Sequence, residues 1–242
     1  MQTIILGDGH LGWAVAAAAA ERGQRTPVLG RPASIRHDPA AFTGVDLVID
    51  ATRGDAVAGN IEVALDGGVR RFVIATTGWS GDLDRVGSAL RAHGASAVVA
   101  ANFSLGVAVF ARLVDAAAES FGAVEGFDPF VLEWHRRGKV DRPSGTALGL
   151  AARLVEHHPG LTGPDDVETV SIRAGSSPGM HLISFDAPGE TIELRHTARD
   201  RSAYAAGILA ASDWLLRASR SPGIHPFDAV VDELLARRAA AA

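Results

Sequence analysis

Cysteine is absent from the 242 residues. Its absence excludes disulfides, thiolate metal sites and thiol nucleophiles together, and fits a reducing compartment. Runs of Lys or Arg and basic stretches interleaved with aromatics are also missing, so the footprint of a protein that follows a phosphodiester backbone is not there. With 23 basic against 28 acidic side chains the formal net charge is -5, and neither nucleic acid nor an anionic membrane is the expected partner. No apolar run reaches the length of a bilayer span, and MQTIILGDG enters a strand at once with no basic leader, so a cytoplasmic protein is expected. What the chain does have is 47% hydrophobic residues, enough for one large α/β domain or two modest ones. A small molecule is the expected ligand.

Strand-like and helical segments alternate through the first hundred residues. Thr3 to Leu6 is a short apolar strand, followed by the turn GDGHLG and by WAVAAAAAERG, where Ala and Val keep helical periodicity up to a C-cap at Gly23. Further strands are expected over Thr26 to Leu29, Val45 to Ala51, Arg71 to Thr76 and Ala95 to Asn102, with helices near Ala56 to Asp66 and Asp82 to His93. This rhythm predicts a doubly wound parallel sheet. After a long amphipathic helix over Ser104 to Phe121 the pattern changes. Phe127 to Trp134 reads as a strand, Ser144 to His157 as a helix, and strand-like runs follow at Val167 to Arg173, Met180 to Asp186 and Thr191 to Thr197. Consecutive strands of this kind predict a smaller α+β domain with an open mixed sheet. Helices over Arg201 to Ala218 and from Pro226 onward close the chain.

Gly7, Gly9 and Gly12 make G-x-G-x-x-G between strand and helix, with His10 and Leu11 between the last two glycines. In that context the first glycine permits a tight turn, the second lets backbone approach a pyrophosphate, and the third lets helix pack on strand. The helix N-terminus then faces the anion. An NAD site would add an acidic residue about 20 residues on, at the end of the second strand. That place reads LGRPAS. Gly30 leaves no carboxylate to repel a 2′-phosphate, while Arg31 and Ser34 could bind one, so NADPH is expected over NADH. If Arg31 is only a solvated loop cation, both remain usable.

The stretch EWHRRGKVDRPSGTALGLA, Glu133 to Ala151, crowds ionisable side chains ahead of a helix start. Read as plain structure, His135 is a satisfied strand residue, Lys139 a surface charge and Ser144 an N-cap. Read as a site, Ser144, Gly145 and Thr146 form a carboxylate cradle at a helix N-terminus, Lys139 adds countercharge, and His135 supplies a proton donor of near-neutral pKa. Beside a dinucleotide half, such a site binds an anion and protonates it during reduction of C=N, C=C or C=O. His157 and His158 stand together with no third ligand, so no metal is expected, and His181 and His196 read as structural strand residues.

At these positions the chain resembles the dihydrodipicolinate reductase family, whose signature E-x-H-H-x-x-K-x-D-x-P-S-G-T-A is matched by Glu133, His135, Lys139, Asp141, Pro143, Ser144, Gly145, Thr146 and Ala147. ATTGWS at Ala75 to Ser80, AANFSLGVAVF at Ala100 to Phe110, and the closing strands and C-terminal GIHPFDAVVDELL are similar to further family segments. The resemblance implies a Rossmann-type domain over residues 1–106 completed by 216–242, a substrate and tetramerisation domain over 107–215, and a homotetramer. It implies NAD(P)H-dependent reduction of the ring derived from 4-hydroxy-tetrahydrodipicolinate to tetrahydrodipicolinate, in lysine and diaminopimelate biosynthesis. By position, His135 would be the general acid, and Lys139 would bind a substrate carboxylate with Ser144, Gly145 and Thr146. Thr76, Thr77, Gly78, Ala101, Asn102 and Phe103 would line the nicotinamide side. The family's second histidine is Arg136, which keeps a cation for a dicarboxylate but cannot act as an acid near neutrality. The basic residue usual in the glycine turn is His10. Two alternatives stay open: a paralogue reducing another small cyclic imine or enamine carboxylate, and a non-catalytic NADP(H)-binding protein.

Overall fold

Short runs of Ile, Leu, Val and Phe are buried on both faces in the first part of the chain, as strands covered by helices on each side must be. In the computed structural model, which describes residues 1–30, 38–200 and 202–239, they form β1 (Thr3–Leu6), β2 (Val28–Leu29), β3 (Leu47–Asp50), β4 (Arg71–Ile74) and β5 (Ser96–Val99). The helices between them are α1 (His10–Glu21), α2 (Gly54–Asp66) and α3 (Leu83–Ala92). A strand from near the end of the chain, β10 (Gly223–Pro226), completes a six-stranded sheet in the order β10-β5-β4-β3-β1-β2, with all pairs parallel. Ile4, Leu6, Val48, Phe72 and Ile74 pack with Val57, Ile61, Leu65, Val86 and Leu90 of the helices into one core.

The strand β10 is not legible in the sequence. It adds to the edge beside β5, with Gly223 N–H donating to Ala95 O at 2.8 Å. Pro226 can end it because a proline at a strand end on the sheet edge interrupts no ladder. The helix α7 (Phe227–Ala239) follows directly.

The chain divides into two compact units, Met1–Leu105 with the segment from Arg201 onward, and Gly106–Asp200. The helix α6 (Ser202–Arg217) therefore belongs to the first unit, whereas the expected boundary at residue 215 would put most of it in the second. It buries Ala205, Ile208, Leu209, Ala211 and Leu215 and packs against α1, β3, β4 and β5. A Cβ on Gly207 would fall 1.7 Å from Phe103 O, so the close approach of helix and loop requires glycine there.

The second unit is built on α4 (Leu105–Gly122), β6 (Asp128–His135), α5 (Gly145–His157), β7 (Thr169–Arg173), β8 (Gly179–Ala187) and β9 (Glu190–Ala198). Its sheet has the order β7-β6-β8-β9, with β6 and β7 parallel and the other pairs antiparallel. Val131, Ile183 and Phe185 form the inner face, packed on Phe110, Val114 and Ala118 of α4 and on Leu150 and Leu154 of α5. Towards the end of β6 the same face turns polar, because the inward positions after Val131 are Glu133 and His135.

Candidate active site

Two glycines of the N-terminal turn are required by contact. Gly7 has φ of +107°, and a Cβ there would lie 2.3 Å from Ala51 O; one on Gly12 would lie 2.0 Å from Gly7 O. Gly9, the N-cap of α1, faces open space, with nothing within 4 Å of a Cβ built on it. A turn whose first and third glycines are fixed by close backbone contact, with open space at Gly9 and at the helix N-terminus, fits a pyrophosphate. His10 and Leu11 begin α1, and His10 is exposed. The cleft in front has a volume of about 330 Å³ and is lined by Gly7, Asp8, Gly9, Thr52, Arg53 and Asp55.

Below this cleft lies a carboxylate that the sequence does not single out. Asp50, fully buried at the end of β3, accepts from Thr52 N–H (3.0 Å), Thr52 Oγ1 (2.7 Å), Thr76 Oγ1 (2.6 Å) and Asn60 Nδ2 (2.8 Å). It ties the loops after β3 and β4 together, so the Thr76 hydroxyl is engaged inward. Thr77 and Gly78 are exposed after β4, and Trp79 Nε1 donates to Thr76 O at 2.8 Å. After β5, Ala101 is exposed, Asn102 Oδ1 accepts the Ser104 N–H at 2.8 Å, and Phe103 is buried against Phe227 with ring centroids 4.9 Å apart. Gly7 to Gly12, Thr76 to Gly78 and Ala101 to Phe103 thus all follow the C-terminal ends of parallel strands, where open α/β sheets bind ligands. Arg31 and Ser34 lie outside the described residues.

In the second unit the chemistry is laid out as a row across the sheet. Register places Ser171 of β7 opposite Glu133, Glu133 opposite His181 of β8, and His181 opposite His196 of β9, while His135 lies opposite Arg173. Glu133 is fully buried, and its Oε1 accepts from Ser144 N–H (2.9 Å), Ser171 Oγ (2.6 Å) and Arg173 Nη2 (2.6 Å). Burial pushes its carboxyl up, but the bonds from Ser144, Ser171 and Arg173 outweigh burial and hold the pKa at about 2. Its other oxygen, Oε2, stands 3.1 Å from His135 Nε2 and 3.7 Å from His181 Nε2. Although 3.1 Å is ion-pair range, neither His135 Nε2 nor Glu133 Oε2 has an aligned hydrogen-bond partner among the described residues. The pair is electrostatic rather than hydrogen-bonded.

His135 Nδ1 lies 3.3 Å from Pro178 O, which can only accept, so Nδ1 carries the hydrogen and Nε2 is where a second proton is gained or lost. Burial pulls the His135 pKa below 6.5; the Glu133 charge and the Pro178 carbonyl act against burial, and Lys139 and Arg173 act with it. His181, ring to ring with His135 at 5.1 Å, is held down to about 4, chiefly by burial and then by His135. The ligand atoms of Glu133, His135 and His181 all lie within 4.8 Å of one another, a spacing that a metal ion could also bridge.

Ser144 is the N-cap of α5: its Oγ accepts the Ala147 N–H at 3.2 Å and pairs with His181 Nε2 at 3.3 Å. Because the Ser144 N–H is engaged with Glu133, the open donors of the helix start are Gly145 and Thr146, whose N–H groups meet no acceptor among the described residues. Lys139, expected to add countercharge, has its Nζ 2.6 Å from both carboxylate oxygens of Asp141. Arg136 is exposed. Among the residues that sequence reasoning misses, Glu133 and Asp141 stand in the signature without roles, Arg173 and Ser171 are not singled out, and His181 reads as structural. Strand alternation is the available signal, since it puts Glu133, His135 and His181 on inward positions.

The first unit carries a glycine turn of the dinucleotide-binding type, and the second a buried Glu–His–His cluster beside an open helix start; the class these features fit is that of dinucleotide-dependent oxidoreductases. Similarity to known proteins narrows it. The family profile for the C-terminus of dihydrodipicolinate reductase matches residues 106–231. The 4-hydroxy-tetrahydrodipicolinate reductase of Thiobacillus denitrificans is 37% identical over 202 residues, covering 77% of this chain and 73% of the relative. The enzyme of the same name from Archaeoglobus fulgidus is 36% identical over 205 residues, covering 79% and 77%. The chain belongs to the dihydrodipicolinate reductase family. Its fold is shared with a dipicolinate-bound dihydrodipicolinate reductase from Paenisporosarcina sp. TG-14, at a TM-score of 0.70 and 20% identity over 93% of this chain and 97% of that one.

Proposed function

We propose that the protein reduces the ring derived from 4-hydroxy-tetrahydrodipicolinate to tetrahydrodipicolinate, in lysine and diaminopimelate biosynthesis. The observation that carries this reading is the buried Glu133–His135 pair beside the open start of α5, in a chain of this family. NAD(P)H, when bound at the glycine cradle, supplies the hydride. The chain's own residues do the rest. The N–H groups of Gly145 and Thr146 and the Arg136 guanidinium hold the carboxylates of the substrate, and Lys139 exchanges Asp141 for one of them. His135 gives up the proton held at Nε2, while Glu133 keeps the imidazolium from being too costly inside the fold. Thr77, Gly78, Ala101 and Asn102 flank the nicotinamide.

The homotetramer and a cytoplasmic setting belong to the same reading. What supports association is the outer face of the second sheet, where Trp134, Val170 and Ile172 are large, apolar and exposed. A second reading, reduction of another small cyclic imine or enamine carboxylate, is favoured by Arg136 at the place of the family's second histidine. Complementation separates the two: a bacterium that requires diaminopimelate because it lacks this reductase should grow when given the chain, and should not grow with His135→Ala expressed at the same level. Failure of the unaltered chain to restore growth, with soluble protein present, would favour the second reading.

A further inference from the structure

We infer that Asp8 selects between the two nicotinamide dinucleotides and that it selects NADH. This inference rests on the reading of the glycine turn as a dinucleotide site. β1 and β2 run in parallel with Leu6 opposite Leu29, so the residue that follows β2, Gly30, lies beside the start of the glycine turn. A Cβ built on Gly30 would sit 2.5 Å from Asp8 Oδ2, 3.0 Å from its Cγ and 3.3 Å from its Cβ. The Asp8 carboxylate therefore occupies the volume that a side chain at position 30 would need.

In dinucleotide-binding folds this is where an acidic residue at the end of the second strand accepts hydrogen bonds from the adenosine ribose hydroxyls. Judged by position 30 alone, the acid is missing and a 2′-phosphate is not repelled, which together with Arg31 and Ser34 is the basis of the NADPH expectation. The structure adds a carboxylate that position 30 by itself does not show. The carboxylate reaches the same place from the neighbouring turn, and Gly30 is the residue that leaves room for it. A carboxylate there accepts from ribose hydroxyls and repels a 2′-phosphate, which carries close to two negative charges near neutrality. Arg53, the cation lining the same cleft, does not reverse the sign, because it is already forked onto Asp55 through Nε (3.1 Å) and Nη2 (2.5 Å).

The test is equilibrium binding of NADH and NADPH to the full chain by fluorescence titration at fixed ionic strength, which needs no ring substrate. The unaltered protein should bind NADH more tightly by about tenfold or more, the size expected for a single charge-assisted hydrogen bond. Asp8→Asn and Asp8→Ala should erase or reverse that preference, mainly by tightening NADPH. The double variant Asp8→Ala with Gly30→Asp returns a carboxylate to the same volume from the strand side, and should restore the preference for NADH. An unaltered protein that prefers NADPH overturns the inference, as does a ratio of affinities that stays the same in both Asp8 variants. Binding of neither dinucleotide would instead remove the dinucleotide reading on which the inference stands.

Discussion

His135 is held between influences of opposite sign, and its pH behaviour follows from their balance. Burial depresses its pKa below 6.5 while the Glu133 charge supports the imidazolium. An acid catalyst works in its protonated form, so kcat/KM should fall as pH rises through that depressed pKa, at lower pH than for an ordinary histidine. In Glu133→Gln the descent should move to still lower pH, read from a pH–rate profile; an unmoved profile would mean that the carboxylate only holds the fold. His181 makes a separate prediction for stability. The unfolded chain protonates it at 6.5 and the folded chain only at about 4, so the unfolded state binds more protons in between and stability is lost as pH falls from 6.5 towards 4. Glu133, held at about 2 against an ordinary 4.5, extends the loss below pH 4.5. Denaturant melts of His181→Gln should show a flatter dependence between pH 6.5 and 4, and a slope equal to that of the unaltered protein would refute the assignment. The motif that holds His135, Lys139 and Ser144 is legible in the sequence because its spacing forms one continuous signature. The anchoring by Glu133 is not, because its partners Ser171, Arg173 and His181 come from other strands and meet it only once the register is set.

The strand β6 does two jobs by alternation: Val131, Glu133 and His135 face inward while Leu132 and Trp134 face outward. The start of α5 is fixed to it through Ser144, whose N–H donates to Glu133 and whose Oγ caps the helix. Ser144→Ala keeps the backbone bond and loses the cap, so it should cost about 0.5–2 kcal/mol in chemical denaturation and also release His181 Nε2. No loss of stability would mean that the helix start is held by Glu133 alone. Strands β1, β3, β4 and β5 can be read from their apolar runs. β10 cannot, since four residues ending in proline carry no periodicity. The helix α6 is evident from its period, yet the unit it joins is not, because helical period tells which face is apolar and says nothing of which sheet that face will cover.

Two units with separate cores are legible from the change of rhythm after α4, and a composition without cysteine or basic runs points to a small-molecule ligand. Association is expected from sequence only through the family. The exposed trio Trp134, Val170 and Ile172 gives it a physical basis, and Ile172→Glu should shift the protein to smaller species in light scattering coupled to size exclusion. A mass unchanged from that of the unaltered protein would argue against this face. At the scale of the whole molecule the proposed activity is reduction of a ring dicarboxylate with His135 as the proton donor. Its most direct test is NADH and NADPH oxidation by the purified protein, with the ring substrate generated in place by its synthase from pyruvate and aspartate semialdehyde. Rapid, protein-dependent oxidation is expected, collapsing by about 10²–10⁴ in a folded, dinucleotide-binding His135→Ala variant. Full activity in that variant, or no oxidation by an unaltered protein that binds the dinucleotide, would contradict it.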